Sequence, residues 1–191
     1  MKRLIPHALL ASLAGLAQSA GASTMPRADL GGRNNYFGIG LGNGVSASVD
    51  LGLTRQLTLG GSIGTGLLGY SEPNRYDIRL LYDFIAGGRH NLSVAGIIGL
   101  WGGSYWSWAN TPFNLAPGIE VGVGLAYPFT PRFTGRLNLV VPYYGITGGP
   151  YYNYWGGPSG GLELAYKFQP HLEGTLGTNG QGNLLGLKLD F

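Results

Sequence analysis

The amino-acid sequence predicts an all-β protein, a closed antiparallel up-and-down transmembrane β-barrel of about ten strands. Three observations predict this fold. Apolar and polar residues alternate with a period of two in ten successive segments after residue 35. Charged residues make up only 11% of the chain and glycine 36 of its 191 residues, which is typical of neither a soluble nor a helical domain. After the N-terminal region, no run of about 18 apolar residues could form a transmembrane helix.

Residues 1–22 are typical of a secretory signal peptide. Lys2 and Arg3 supply its charged start, residues 4–16 are mostly apolar, and Ala20-Gly21-Ala22 fits the small-x-small cleavage pattern. The alternative is a short membrane anchor, but this apolar stretch is too short to span a bilayer comfortably. We therefore expect this segment to direct export.

The rest of the chain divides into a short periplasmic lead, residues 23–34, and the barrel, residues 35–191. Loss of the signal peptide would lower the formal net charge from +3 to +1, so the charge gives no argument for a nucleic-acid partner. The chain contains no cysteine, which excludes disulfides, thiolate metal sites and a lipidated N-terminal cysteine.

Each of the ten segments places its apolar residues on one face. In the first five segments these residues are Phe37, Ile39 and Leu41; Val45, Ala47, Val49, Leu51 and Leu53; Leu57, Leu59, Gly61, Ile63 and Thr65; Tyr76, Ile78, Leu80, Tyr82 and Phe84; and Leu92, Val94, Gly96, Ile98 and Leu100. In the last five they are Ile119, Val121, Val123, Leu125, Tyr127 and Phe129; Phe133, Leu137, Leu139 and Val141; Leu162, Leu164, Tyr166 and Phe168; Leu172 and Leu176; and Leu185, Leu187, Leu189 and Phe191. At about 3.4 Å per residue and a tilt near 40°, each segment spans roughly the 25 Å apolar band of an outer membrane. Backbone groups in lipid need partners, so the sheet must close.

Tight and longer connections alternate between the segments. The tight ones are residues 54–56, 87–90, 130–132 and 169–171, and the longer set lies around residues 43–44, 71–75, 102–116, 144–158 and 179–182. Outer-membrane barrels have short periplasmic turns and long external loops, so this alternation predicts an even strand count with both ends of the chain in the periplasm. Ten strands satisfy it, and the alternative of eight leaves the glycine-rich first hairpin outside the barrel.

One short motif repeats along the chain. Residues 125–133, LAYPFTPRF, match residues 164–172, LAYKFQPHL, and residues 80–84, LLYDF, are a fainter copy. In each copy two aromatic residues of the lipid-facing side precede a tight turn. Such rings are typical of the interfacial girdle at headgroup level.

The last strand carries Phe191 with Leu185, Leu187 and Leu189 on the same face. This resembles the C-terminal strand signature of bacterial outer-membrane barrels, which have a second aromatic residue where this chain has Leu189. The whole pattern resembles small barrels such as the OmpA membrane domain and the opacity-type adhesins. The resemblance implies an outer-membrane location in a Gram-negative-type envelope and recognition of Phe191 by the barrel-assembly machinery, and it transfers no functional residue.

The inward face is predicted to carry seven acidic and four basic residues. They are Asp50, Asp77, Arg79, Asp83, Glu120, Arg136, Glu163, Lys167, Glu173, Lys188 and Asp190. One interpretation is a paired, hydrogen-bonded interior, because a buried charge is costly without a partner. The other is a narrow passage with a weak preference for cations. The many inward glycines could make room for long side chains or leave a path for water.

The external loops are predicted to be aromatic and uncharged. One contains Trp101, Tyr105, Trp106, Trp108 and Phe113, and the other contains Tyr143, Tyr144, Tyr151, Tyr152, Tyr154 and Trp155. They would form either an outer girdle of mutually packed loops or a surface that binds a glycan or a protein. The absence of Lys and Arg argues against dense contact with lipopolysaccharide phosphates.

Neither catalysis nor a cofactor or metal is expected. His7 leaves with the signal peptide, and His90 and His171 fall in periplasmic turns, so no histidine base would serve an outward-facing site. The acidic residues lack calcium-loop spacing, and no helix follows the glycines of the first strand, as a phosphate loop would require.

Three functional hypotheses remain. The barrel is structural or binds a partner through its aromatic loops, or it is a small porin-like channel, or, as the least favoured alternative, it modifies outer-membrane lipid. Outer-membrane lipid, the assembly machinery and an extracellular protein or glycan are the expected partners.

Overall fold

The computed structural model describes residues 35–42, 44–66, 75–85, 87, 92–103, 118–143, 159–178 and 183–191. They form ten strands: β1 (Tyr36–Gly42), β2 (Gly44–Gly52), β3 (Leu57–Gly66), β4 (Arg75–Ile85), β5 (Ser93–Gly103), β6 (Gly118–Pro128), β7 (Phe133–Tyr143), β8 (Ser159–Gln169), β9 (Leu172–Thr178) and β10 (Asn183–Asp190). The predicted signal peptide and lead lie outside the described residues. Within those residues, no helix is long and apolar enough to cross a membrane.

The sheet closes on itself. Each strand pairs antiparallel with its neighbours in the sequence, and β1 pairs with β10. Tyr36 lies opposite both Asp50 of β2 and Asp190 of β10, so the glycine-rich first hairpin is an integral part of the barrel. The prediction of ten strands is confirmed, and the eight-stranded alternative is wrong.

The two faces of the sheet differ sharply in polarity. Among the described residues, thirty large apolar side chains, spread over all ten strands and their ends, are 36–67% exposed. The buried positions between them are mostly small, polar or charged, as in the series Ser46, Ser48 and Asp50 of β2. The barrel is therefore apolar outside and polar inside, because a period of two sends successive side chains to opposite faces.

The two ends of the barrel carry different connections. We call the end with residues 53–56, 86–92, 129–132 and 170–171 the turn rim, and the opposite end the loop rim. In two of the tight turns, the hydroxyls of Thr54 and Thr130 each accept hydrogen bonds from the N–H groups two and three residues later, at 3.0–3.3 Å. Residues 43, 67–74, 104–117, 144–158 and 179–182 of the loop rim lie outside the described residues.

The repeated sequence motif corresponds to a repeated contact near the turn rim. At the end of β4, β6 and β8, a phenylalanine ring lies against a glycine of the next strand, and a tyrosine two residues earlier packs edge-on against the ring at 5.3 Å in each case. The Phe–Gly pairs are Phe84 with Gly96, Phe129 with Gly135, and Phe168 with Gly174. The ring covers backbone that the glycine leaves bare.

Two aromatic residues assigned to external loops lie in strands instead. Trp101 belongs to β5, is 5% exposed, and its Nε1 donates a hydrogen bond to the Ile119 carbonyl oxygen at 3.2 Å. A side chain at the facing Gly118 would collide with the indole, so the glycine admits the ring and lets β5 continue to Gly103. Tyr143 is the last residue of β7, where it pairs with Ile119.

Candidate functional site: the charged barrel interior

The structure places nine of the eleven predicted lumen charges in the interior, each at most 7% exposed. They are Asp50, Asp77, Arg79, Asp83, Glu120, Arg136, Glu163, Glu173 and Lys188. The other two, Lys167 and Asp190, lie near the turn rim, where their side chains are 37% and 8% exposed and their charged atoms are 3.9 Å apart. We call the nine buried residues the charged belt.

The register of the strands brings three belt residues into one row around the wall. Asp50 of β2 lies opposite Gly60 of β3, Gly60 opposite Arg79 of β4, Arg79 opposite Gly99 of β5, and Gly99 opposite Glu120 of β6. Acid, glycine, base, glycine and acid thus alternate along the hydrogen-bonding direction of the sheet.

The glycines in this row make room for the charges beside them. A side chain at Gly60 would overlap the Asp50 carboxylate and lie 3.1 Å from Arg79 Nε. A side chain at Gly99 would lie 3.0 Å from Glu120 Oε1. Two roles were predicted for the inward glycines, room for long side chains or a path for water. Gly60 and Gly99 have the first role, because they leave room for long charged side chains.

Arg79 is the centre of the first ion-pair cluster. Its Nη1 donates to Asp77 Oδ1 at 2.9 Å and its Nη2 to Asp50 Oδ1 at 3.5 Å. The Ser62 hydroxyl donates to the other oxygen of Asp77 at 2.6 Å. The cluster connects β2, β3 and β4 from inside, and Glu120 of β6 adds a further attractive charge to Arg79.

Arg136 is the centre of a second and tighter cluster on the other wall. Its guanidinium holds both oxygens of Glu173, at 2.7 and 2.9 Å, and its Nη1 also donates to Glu163 Oε1 at 2.9 Å. Lys188 Nζ donates to the same Glu163 oxygen at 2.7 Å. The bidentate pair fixes the geometry more firmly than a single contact, and the cluster connects β7, β8, β9 and β10.

Tyr36 lies between the two clusters and was not among the predicted site residues. It is fully buried, lies opposite Asp50, and its ring centre is 5.7 Å from Lys188 Nζ. The sequence signal for its position was available, because Phe37, Ile39 and Leu41 face outward and parity sends Tyr36 inward. Ser62 could be found in the same way, as the inward neighbour of the outward Ile63.

The belt holds six acids and three bases, so it has a formal excess of three negative charges. Asp50 Oδ2 and Arg79 Nε have no hydrogen-bond partner within the described part of the protein. Buried charged atoms of this kind need water or another polar partner. Among the described residues, no group of three or more His, Cys, Asp or Glu side chains is placed to hold a metal ion.

The remaining predicted site residues fall mostly outside the described residues. They are the loop aromatics Tyr105, Trp106, Trp108, Phe113, Tyr144, Tyr151, Tyr152, Tyr154 and Trp155. Phe191, the predicted assembly signal, is 67% exposed, and its N–H donates to the Asn35 carbonyl oxygen at 2.9 Å. Their functional roles stay predictions.

No family model, curated protein or solved structure matches this chain in the comparisons with known proteins. The resemblance to outer-membrane barrels is supported by the closed ten-stranded antiparallel architecture. Membership of the OmpA or opacity families has no support from the comparisons.

We predict that Gly60→Ala destabilises the barrel by about 1–3 kcal/mol, because the added methyl forces the Asp50–Arg79 pair apart. Urea unfolding of the barrel in detergent micelles, followed by tryptophan fluorescence, measures the change. The neighbouring Gly61→Ala is the matched control, since its methyl would meet only the Asp77 carbonyl oxygen at 3.4 Å, an ordinary contact. Equal effects of the two variants would show that the space at Gly60 is not needed.

We predict that Arg136→Met destabilises the barrel by about 3–5 kcal/mol, because Glu173 loses its bidentate partner while it stays buried. Adding Glu173→Gln should restore part of the loss in the same unfolding measurement. Lys167→Met is the control, and its half-exposed pair with Asp190 at 3.9 Å should cost less than about 1 kcal/mol. The interpretation fails if Arg136→Met is as mild as the control.

Proposed function

We propose that the protein is an exported outer-membrane barrel whose interior is closed by ion pairs and whose role is structural or partner-binding. The observation that carries this proposal is the inverted polarity of the barrel. Thirty large apolar side chains are exposed, while nine charged side chains are buried. A water-soluble protein would expose its charges and bury most of its large apolar residues.

The apolar exterior matches a lipid environment in form as well as composition. Closure leaves no strand edge of the sheet to be exposed in the membrane. Seven of the ten strands, β2 to β8, have 9–11 residues, which is the length that crosses a membrane when tilted. The tyrosine and phenylalanine pairs of β4, β6 and β8 lie at one level near the turn rim, where an interfacial girdle would be.

The charged belt favours a closed interior rather than an open pore. Arg136 reaches from β7 past β8 to Glu173 of β9, and Lys188 reaches from β10 past β9 to Glu163 of β8. Each of these side chains is about 1% exposed, as expected where the interior is filled. Small barrels are generally filled in this way. If the interior is closed, a partner would bind at the rims of the barrel. The aromatic loops of residues 104–117 and 144–158 are the proposed binding surface for a protein or glycan.

A narrow, weakly cation-preferring channel is the second candidate. The excess of three buried acids and the unpartnered atoms of Asp50 and Arg79 favour it, because both features suit a hydrated acidic passage. A lipid-modifying enzyme is the least supported function, since the described histidine, His171, lies in a turn of the turn rim.

The location and orientation are testable by cysteine labelling, because the chain has no cysteine of its own. Arg55→Cys marks the turn rim and Asn153→Cys marks the loop of residues 144–158. A membrane-impermeant maleimide should label Asn153→Cys in intact cells and Arg55→Cys only after the outer membrane is permeabilised. The cysteine-free parent controls for background, and the reverse labelling order would contradict the proposed orientation.

Planar-bilayer recording distinguishes the closed barrel from the channel. We expect no discrete conductance steps after insertion, because the charged belt occupies the interior. Heat-modifiable gel migration of the same sample confirms that the inserted barrel is folded. Reproducible steps with a preference for cations would favour the channel and overturn the closed interior.

A further inference from the structure

The outer face of the barrel carries a groove of about 520 Å³ across β7, β8, β9, β10 and β1. Most of its lining is apolar, with Phe133, Tyr166 and Phe168 toward the turn rim and Leu41, Leu176 and Leu185 toward the loop rim. This volume lies within the range of about 300–1,000 Å³ typical of small-molecule sites.

The groove crosses β9 at Gly174. Gly174 is the middle outward residue of this strand, and its neighbours across the sheet are Tyr166 of β8 and Leu187 of β10. The Phe168 ring lies over Gly174, so ring and glycine together line the groove at this point.

The turn-rim end of the groove is cationic. Arg132 directly precedes Phe133, and its carbonyl oxygen accepts a hydrogen bond from the Lys167 N–H at 2.9 Å. Arg132 and His171 are exposed, whereas Lys167 belongs to the inward face and pairs with Asp190. No acidic side chain among the described residues is exposed, and the nearby Asp190 side chain is 8% exposed.

We propose that this groove binds one glycerophospholipid, with an acyl chain along the apolar lining and the phosphate at Arg132 and His171. This inference rests on the proposed membrane location, which puts the turn rim at a phospholipid leaflet. Two features select a phospholipid: an apolar groove on the outward face of the barrel, and exposed bases at its turn-rim end without an exposed acid beside them. Arg is well suited to phosphate because its planar fork donates two parallel hydrogen bonds.

Affinity comes from the headgroup more than from the chain. A bilayer is already apolar, so moving an acyl chain from bulk lipid into the groove brings no hydrophobic gain, only better packing. A basic side chain near an anionic headgroup contributes about 1 kcal/mol, which corresponds to about a fivefold change in affinity. Removing Arg132 should therefore weaken binding about fivefold.

Native mass spectrometry of the full chain, expressed for export and purified in a non-ionic detergent, tests the site. The probe is palmitoyl-oleoyl-phosphatidylglycerol, and the diacylglycerol with the same chains serves as the phosphate-free comparison. We expect one phosphatidylglycerol retained per chain and at least about fivefold weaker retention of the diacylglycerol. Arg132→Ala should weaken phosphatidylglycerol binding to a similar degree.

Two matched controls separate this site from general attraction. Arg55 lies in the turn between β2 and β3, which has the same threonine-capped geometry but is not part of the groove. Arg55→Ala should change binding less than twofold. Leu187→Trp fills the groove and should abolish retention, whereas Leu80→Trp, on the outward face of β4, should leave it unchanged.

Three results would overturn the site. Equal loss in Arg55→Ala and Arg132→Ala would indicate diffuse attraction to the rim. A dimer that dissociates in Leu187→Trp would assign the groove to a second copy of the chain. A barrel that inserts into phosphatidylglycerol vesicles yet retains no lipid would refute the site alone, whereas failure to insert would refute the membrane location itself.

Discussion

Closure of the sheet between β1 and β10 is the constraint on which the rest of the structure depends. In the membrane proposed for this barrel, backbone groups would have no water to bond with, so each would need a partner within the sheet. Pairing of Tyr36 with Asp190 at one end and Leu41 with Leu185 near the other supplies the last set of partners. Once the sheet is closed, one face is enclosed and the other is fully exposed, and the alternation of residues decides which chemistry each face receives.

The charged belt fills the space that closure of the sheet encloses. A barrel of ten strands has an interior that side chains must fill, and the outward face already takes the large apolar residues. Long charged side chains fill the interior if they are paired, and small residues beside several of them leave room for their reach. Arg79 reaches Asp50 past Gly60, Glu120 approaches Arg79 past Gly99, and Arg136 reaches Glu173 past β8, where Ala165 is inward and buried. The ion pairs then act as cross-links between strands that are not adjacent in the sheet.

The sequence predicts the faces well and the contacts poorly, for a physical reason. Parity alone places Asp50, Arg79 and Arg136 inside and Leu80 or Phe168 outside, because successive residues of a strand must point to opposite faces. Which charges meet depends on the register of β2 with β3 and of β3 with β4, and register is set by turns and packing that no single segment contains. Trp101 shows the same limit. Its aromatic character suggested a loop, but its room in β5 comes from Gly118, a residue of another strand.

The β7–β10 wall carries ion pairs on its inner face and an apolar groove on its outer face. From inside, Glu173 is held by Arg136 and lies opposite Lys188, so β9 is anchored to strands on both sides. A strand anchored in this way needs little from its outward side chains, and β9 has only seven residues with Gly174 at the centre of its outward face. On the Arg79 wall the pairing is looser, with a 3.5 Å contact to Asp50, and there too the strand β3 has a glycine, Gly61, on its outward face between Leu59 and Ile63. Ion pairs thus fix the β7–β10 wall from inside, and in the proposed membrane lipid would cover the apolar groove on its outer face.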